Sequence, residues 1–282
     1  MATITMTKIP LEDNFSDIIG KAQRGLKLSD DQLASRSGVS LEELERIKSG
    51  QVDEPVLGQI ARSLSLGETT LIESAKKLWY PPSQELSGLA QFNTPYGDMT
   101  VNAYLVWDPG TKQAAVFDTG ATSSGLLQFI RADNLTIKFI FLTHTHPDHV
   151  ADLTRLKMET GVPVFVNQLE ALDGAETFSE GHQFKVGNLH FDTRQTSGHS
   201  RGGMTYVVSG LARKVAVTGD SIFAGSMGGG AVSYLDALNN NRKKILTLEN
   251  DTILCPGHGP LTTVGEEKMH NPFFPEFQPS TS

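Results

Sequence analysis

The run Thr143-His144-Thr145-His146-Pro147-Asp148-His149 constrains this chain more than any other stretch. It follows directly on the apolar segment 137–142, which reads as a buried strand. Side chains at 144 and 146 share one face at the mouth of that strand, and Pro147 turns the chain so that Asp148 and His149 reach the same space. Each residue alone has an ordinary structural use: a histidine at a strand end is usually a satisfied polar group, and an aspartate there can cap the next helix. Together they do not. Clustered imidazoles without a shared cation repel one another below neutral pH and lack partners above it.

The same grammar recurs downstream, where a strand or loop ends in a small-residue turn that carries one potential ligand. The segments are Ser197-Gly198-His199-Ser200, Thr218-Gly219-Asp220-Ser221 and Pro256-Gly257-His258-Gly259, and Phe117-Asp118-Thr119-Gly120 upstream has the same shape. Glycine beside a ligand lets backbone approach closely, which suits a side chain held on a loop at the C-terminal end of a strand.

The surrounding chain changes style near residue 80. Residues 12–78 read as helices, and Tyr80-Pro81-Pro82-Ser83-Gln84 cannot continue one, because each proline lacks an N–H and restricts the residue before it. We therefore expect a helical domain over 1–80 and a second domain over 85–282. Ser29 with Gln32 and Ser40 with Glu43 each fit a capping box, placing helix starts near 30 and 41, with Gly38 in the turn between. Beyond the linker the pattern predicts strands at 89–94, 100–107, 113–118, 136–142, 162–166, 183–193, 204–208, 213–218 and 252–255. Helices are expected at 122–132, after Pro147 and at 232–248, with a final helical turn. Gly228-Gly229-Gly230 lacks the Lys-Ser/Thr of a phosphate-binding loop and reads as a flexible loop.

The ordered set HxHxDH, GH, GD and PGHG resembles the metallo-β-lactamase superfamily of binuclear metallohydrolases, over about 200 residues from 85 to the end. Through Thr218-Gly219-Asp220-Ser221, Phe223-Ala224-Gly225-Ser226 and the tail 262–268 with Asn271-Pro272-Phe273, it is most similar to the short bacterial glyoxalase II (hydroxyacylglutathione hydrolase) type. The fold so implied is α/β, an αβ/βα sandwich of two mixed sheets with outer helices. The resemblance further implies that His144, His146 and His199 hold one metal, that Asp148, His149 and His258 hold another, and that Asp220 bridges them. Asp118 would then accept a ligand imidazole N–H and fix its tautomer. The donors are imidazole and carboxylate with no thiolate, so two divalent ions, zinc by default with iron or manganese acceptable, are expected. His182, His190 and His270 fall outside every motif and read as surface or packing residues.

Such a site lowers the pKa of a bridging water and polarises a carbonyl, with Asp148 or Asp220 orienting the nucleophile and taking its proton. The expected activity is thioester hydrolysis by a metal-bridging hydroxide, as on an S-2-hydroxyacyl-glutathione. Alternatives are a mononuclear iron persulfide dioxygenase using His144, His199 and Asp220, a lactone hydrolase, and a regulator in which the metal domain gates DNA binding. Two departures from the glyoxalase II pattern bear on the substrate. Only 24 residues follow His258, too few for the C-terminal helical domain of the long form, and 225–230 (GSMGGG) lacks an Arg-Thr-Asp. Arg201, Lys268 and Tyr206 are the candidates for anion or substrate contacts.

The segment 32–47 resembles the helix-turn-helix of repressor-type DNA-binding domains. Charge argues against DNA. The would-be recognition helix carries Glu42, Glu43 and Glu45 against Arg46 and Lys48, residues 1–80 hold ten basic against twelve acidic side chains, and the whole chain carries −8. The module is expected instead to pair chains into a homodimer or to cover the second domain. A lone Cys255, no basic-then-apolar leader in residues 1–20 and no long uncharged apolar run predict a cytoplasmic protein with no membrane partner.

Overall fold

The computed structural model describes residues 8–279. The leader reading and the outer bounds of both expected domains extend to residues 1–7 and 280–282, which lie outside the described residues. Five short helices come first: α1 (Phe15–Gly25), α2 (Asp30–Ser37), α3 (Leu41–Lys48), α4 (Glu54–Leu64) and α5 (Glu68–Ala75). The caps explain their starts. Ser29 and Ser40 form capping boxes with Gln32 and Glu43 as the spacing predicts, Asn14 forms a third with Asp17, and Asp53 caps α4 ahead of Pro55. Gly38, at φ 70°, stops α2 in the left-handed conformation.

Strands β1 (Leu89–Tyr96), β2 (Met99–Trp107), β3 (Gln113–Phe117), β4 (Thr136–Phe141), β5 (Val164–Asn167) and β6 (Glu176–Phe178) form one six-stranded sheet in that order. Its first two pairings are antiparallel and the rest parallel. Helices α6 (Ser124–Ala132) and α7 (Leu153–Thr160) cross between its strands. The second sheet holds β7 (Gln183–Val186), β8 (Leu189–Gln195), β9 (Met204–Ser209), β10 (Val215–Gly219), β11 (Ile253–Pro256) and β12 (Thr262–Thr263), with β10 and β11 parallel. Helices α8 (Tyr234–Asn240) and α9 (Val264–His270) complete the chain.

Alternation along the strands sorts side chains into layers. Phe117 on β3, Phe141 on β4, Phe191 on β8, and Val215 and Val217 on β10 point between the sheets into one aromatic-rich core. Ala114 and Val116 point outward, where α6 and α7 cover them through Leu126, Leu127 and Leu156. On the outer face of the second sheet, Val207, Ala216 and Leu254 lie in the same cluster as Ile19, Leu33, Leu57 and Ile60 of the helical module. The expected αβ/βα sandwich is therefore present, and the helical module belongs to its outer layer. No helix among the described residues is long and apolar enough to cross a membrane.

One expected element needs correction. The helix expected over 232–248 is α8 followed by a π-turn at Asn241–Ile245, because Asn240 donates to the Ser197 carbonyl and the buried Asn241 donates to the Ser221 carbonyl. These bonds bend the helix toward two loops that carry candidate ligands. The helix expected after Pro147 is α7, which begins at Leu153 once 147–152 has turned the chain, and the strands expected near 183–193 are β7 and β8, a hairpin bent at Gly187 (φ 59°). The strands β6 and β12 carry no alternation long enough to read from sequence.

Candidate metal centre

Every candidate ligand follows the C-terminal end of a strand. His144, His146, Asp148 and His149 follow β4, His199 follows β8, Asp220 follows β10 and His258 follows β11. The parallel pairings of β3 with β4 and of β10 with β11 put these ends along one rim of the sandwich. There the residues divide into two groups, His144, His146, His199 and Asp220 in one and Asp148, His149 and His258 in the other, with donor atoms within 4.8 Å of one another in each.

Asp220 lies between the groups. One carboxylate oxygen is 3.3 Å from His199 Nε2 and 3.4 Å from His258 Nε2, and the other is 3.3 Å from His149 Nε2. His146 Nδ1 sits 3.1 Å from His144 Nε2 and 3.0 Å from His199 Nε2. Asp148 Oδ2 lies 3.4 Å from His149 Nε2 and 3.3 Å from His258 Nε2. Buried His149 Nε2 and Asp220 Oδ1 have no hydrogen-bond partner among the described residues. Buried polar atoms are otherwise almost always satisfied, so convergent, unsatisfied imidazole and carboxylate donors fit divalent cations.

The atoms that face away from the cluster are bound by the protein. Asp118 Oδ2 accepts from His149 Nδ1 at 2.8 Å, and its carboxylate also accepts from the Thr143 N–H and hydroxyl, both at 2.7 Å. His258 Nδ1 bonds the Thr100 carbonyl at 2.6 Å, and His199 Nδ1 bonds the Gly229 carbonyl at 3.1 Å. These bonds set each tautomer so that the other ring nitrogen faces the cluster.

Charge within the cluster is strongly organised. Burial opposes ionisation of Asp220, but the facing His149 and His258 outweigh it and hold its carboxyl well below the usual range. Burial would likewise lower His149 and His258, yet Asp220, helped by Asp118 at one and Asp148 at the other, lifts them to about 10 and about 11. His144 moves the other way, kept neutral by burial and by the neighbouring His149.

Glycines make room for this packing. A Cβ at Gly257 would stand 2.0 Å from Asp220 Oδ1, and one at Gly228 would stand 1.9 Å from the Asp220 carbonyl. The loop expected at 228–230 is present, and it packs on the site: Gly228 is buried and the Gly229 carbonyl meets a candidate ligand.

Tyr206 is not a substrate contact. Its ring is buried between the sheets and its hydroxyl donates to the Leu142 carbonyl at 2.8 Å. Lys268 is turned to Asn250, and Arg201 stands exposed on the loop after His199. Of the other histidines, His182 packs on Phe184, His190 is exposed, and His270 stacks on Trp79 at 5.0 Å where the module meets α9.

Sequence reasoning missed Thr143 and Glu170. Glu170 accepts from the Thr145 hydroxyl and the Gly202 N–H, tying the loop after β4 to the loop after β8. Only Thr143, directly before the first ligand, carried a local signal.

The sequence profile of the metallo-beta-lactamase superfamily matches residues 96–258, and the chain belongs to that superfamily. Hydroxyacylglutathione hydrolase GloC of Haemophilus influenzae is 32% identical over 197 residues, covering 61% of this chain and 92% of the relative. Among solved structures, ETHE1 from Myxococcus xanthus matches with TM-score 0.58 and 25% identity over 66% of this chain and 85% of its own. TTHA1623, solved in a di-iron-bound form, matches with TM-score 0.53 and 26% identity over 64% of this chain and 99% of its own.

Proposed function

We propose that this chain is a dinuclear metal-dependent hydrolase of glyoxalase II type that cleaves an acyl thioester, with S-2-hydroxyacyl-glutathione as the reference substrate. The observation that carries the reading is the position of Asp220, whose carboxylate reaches nitrogen donors of both ligand groups. His144, His146 and His199 would hold one cation and Asp148, His149 and His258 the other, with zinc as first choice and iron or manganese compatible with the same donors. Bound cations would supply an activated water near neutral pH and polarise the scissile carbonyl.

The chain's own groups do the rest. Asp148 stands at the rim, its side chain 13% exposed while His149 beside it is fully buried, so its carboxylate is the one that meets an incoming water. Burial opposes its charge, but His258 and His149 outweigh that and keep it ionised, able to orient the water and accept its proton. A departing thiolate, with a pKa of about 8.5, needs no general acid. Tyr206 and Cys255 are buried in the core between the sheets and both pushed up by burial, so neither serves as a proton donor to a leaving group. That favours a thioester over an amide or lactam, whose amine must be protonated as it leaves.

The persulfide dioxygenase alternative uses His144, His199 and Asp220 and leaves the group Asp148, His149 and His258 without a task. Purified protein is expected to carry two metals per chain and to hydrolyse S-lactoylglutathione, with activity lost in His146→Ala. Oxygen consumption with glutathione persulfide, or hydrolysis surviving in that variant, would overturn the mechanism. We also propose a homodimer that does not engage DNA; a monomeric mass in solution, or salt-sensitive binding of duplex DNA by the full chain, contradicts it.

A further inference from the structure

The two groups of candidate ligands are supported by different parts of the chain. In the first group His146 stands on the loop after β4 and His199 on the loop after β8, so their spacing depends on how those loops are joined. Glu170 joins them. It closes a single helical turn, Gln168–Glu170, that directly follows β5, the parallel neighbour of β4. One carboxylate oxygen accepts from the Thr145 hydroxyl at 2.7 Å and from the Thr145 N–H at 3.3 Å, and the other accepts from the Gly202 N–H at 2.8 Å. Thr145 lies between His144 and His146, and Gly202 follows His199 by three residues. Gly202 permits this close approach, since a Cβ there would stand 2.8 Å from Glu170 Cγ.

In the second group the His258 turn is held from β2. Asn102 is fully buried, and its Nδ2 donates to the Pro256 carbonyl at 2.8 Å and the Gly259 carbonyl at 2.9 Å. Its N–H donates to the Gly257 carbonyl at 2.8 Å, and Asn93 donates to its Oδ1 at 2.7 Å, which keeps the amide nitrogen toward the turn. Tyr104, two residues on and on the same face of the strand, donates to the Pro256 carbonyl at 2.6 Å. His149 is held separately, its carbonyl by the Thr119 N–H at 2.9 Å and its ring by Asp118. Among the described residues, Glu170 accepts nothing from the His258 turn and Asn102 bonds neither loop of the first group.

We infer that Glu170 and Asn102 are positioning residues for two separately clamped cation sites. Glu170 sets the spacing of His146 and His199, Asn102 sets the placement of His258, and either site can be loosened while the other keeps its ion. The inference rests on the two-cation reading and makes no use of the substrate. Asp220, shared by both groups, enters on a third strand end and remains available to one cation when the other is absent. Loss of a group that orients metal ligands typically weakens binding about 10–100-fold.

Zinc alone is the probe. Full-length, metal-stripped protein is titrated with zinc against a chelating indicator, and bound zinc is counted after gel filtration. The native chain is expected to hold two ions. Glu170→Ala should weaken one of them about 10–100-fold and leave the other unchanged, and Asn102→Leu should weaken the other one instead. Glu170→Gln, which still accepts from the Gly202 N–H and can donate to the Thr145 hydroxyl, should recover most of the loss. The sites are told apart by combination: Glu170→Ala should weaken the ion that remains in His258→Ala and leave the ion that remains in His146→Ala unaffected, with Asn102→Leu giving the reverse. If Asn102→Leu does not fold, Tyr104→Phe removes one donor from the same turn and should show the same choice of site with a smaller loss. Equal weakening of both ions in step with a lowered urea midpoint, or no weakening in either variant, overturns the inference and leaves the two-cation reading intact. A native chain that binds one ion ends the two-cation reading. The clamp role then stands if only one of Glu170→Ala and Asn102→Leu weakens that ion, and falls if both or neither do.

Discussion

Asp118 shows how one side chain governs the candidate site without facing it. It occupies the left-handed region at φ 54°, which Asp tolerates better than most residues, and this turns its carboxylate onto Thr143 and His149 together. Asp118→Ala would free the His149 ring to rotate and change tautomer, and metal affinity is expected to fall about 10–100-fold in chelator competition. Unchanged affinity would contradict the role. Gly257→Ala is expected to abolish metal loading, because its Cβ falls 2.0 Å from Asp220 Oδ1, whereas Gly229→Ala, with open space at its Cβ, should load normally. Loading should also be pH-dependent. His149 and His258, held up to about 10 and about 11, must each lose a proton to ligate, so affinity should fall roughly tenfold or more per unit of pH between 8 and 6. A flat competition curve would rule this out.

At the scale of elements, α9 shows how buried chemistry holds a loop. Glu267 on α9 is buried, and its carboxyl meets the Thr262 hydroxyl at 2.7 Å, the Asn271 amide at 2.7 Å and the Gly225 N–H at 3.0 Å. It thereby joins β12, α9 and the loop after Asp220. Burial lifts its pKa from 4.5 to about 8. A raised folded-state pKa means that the native chain keeps a proton the unfolded chain releases, so its stabilisation is complete below about 4.5 and lost as pH rises through about 8. The urea midpoint is expected to fall from pH 5 to 8, and Glu267→Gln, which can donate to Thr262 while accepting from Gly225 and Asn271, should flatten that fall. An equal slope in both proteins would refute the assignment. The same use of polar side chains bends α8 into its π-turn, where Asn240 and Asn241 bond loops rather than prolong a helix.

Across the whole molecule, the helical module and the sandwich bury one continuous apolar cluster. Phe15, Ile19, Leu57 and Ile60 belong to it with Ile222, Tyr234, Phe273 and Phe274. Leu57→Ala, in the module and remote from the candidate ligands, is expected to cost about 2–5 kcal/mol and to lower the unfolding midpoint of the entire chain in a single transition. Two separated transitions would show that the parts fold independently. A chain beginning at residue 85 would expose Tyr234, Phe273 and Phe274 to water and should be less soluble than the full chain. Yields and thermal midpoints equal to the full chain's would contradict the shared core.

How much of this was legible beforehand depended on the range of the interaction. Capping boxes at Ser29 and Ser40, alternation in β7 and β8, and the ligand-bearing turns are written within a few residues of one another, because caps and pleats are local geometry. The ordered motifs HxHxDH, GH, GD and PGHG carried a resemblance to the superfamily, and that resemblance implied the sandwich and the division of the candidate ligands into two sets with Asp220 between them. The bond from Asp118 to Thr143, the tie from Glu170 to Gly202 and the burial of Gly228 against Asp220 join positions with no fixed spacing. The sequence by itself therefore determined which residue types would converge and on which strand ends. Only the tertiary structure decided that the −2 helical module shares a core with the sandwich and sets Glu12 beside His258, because contacts between distant segments depend on how layers pack rather than on any local pattern.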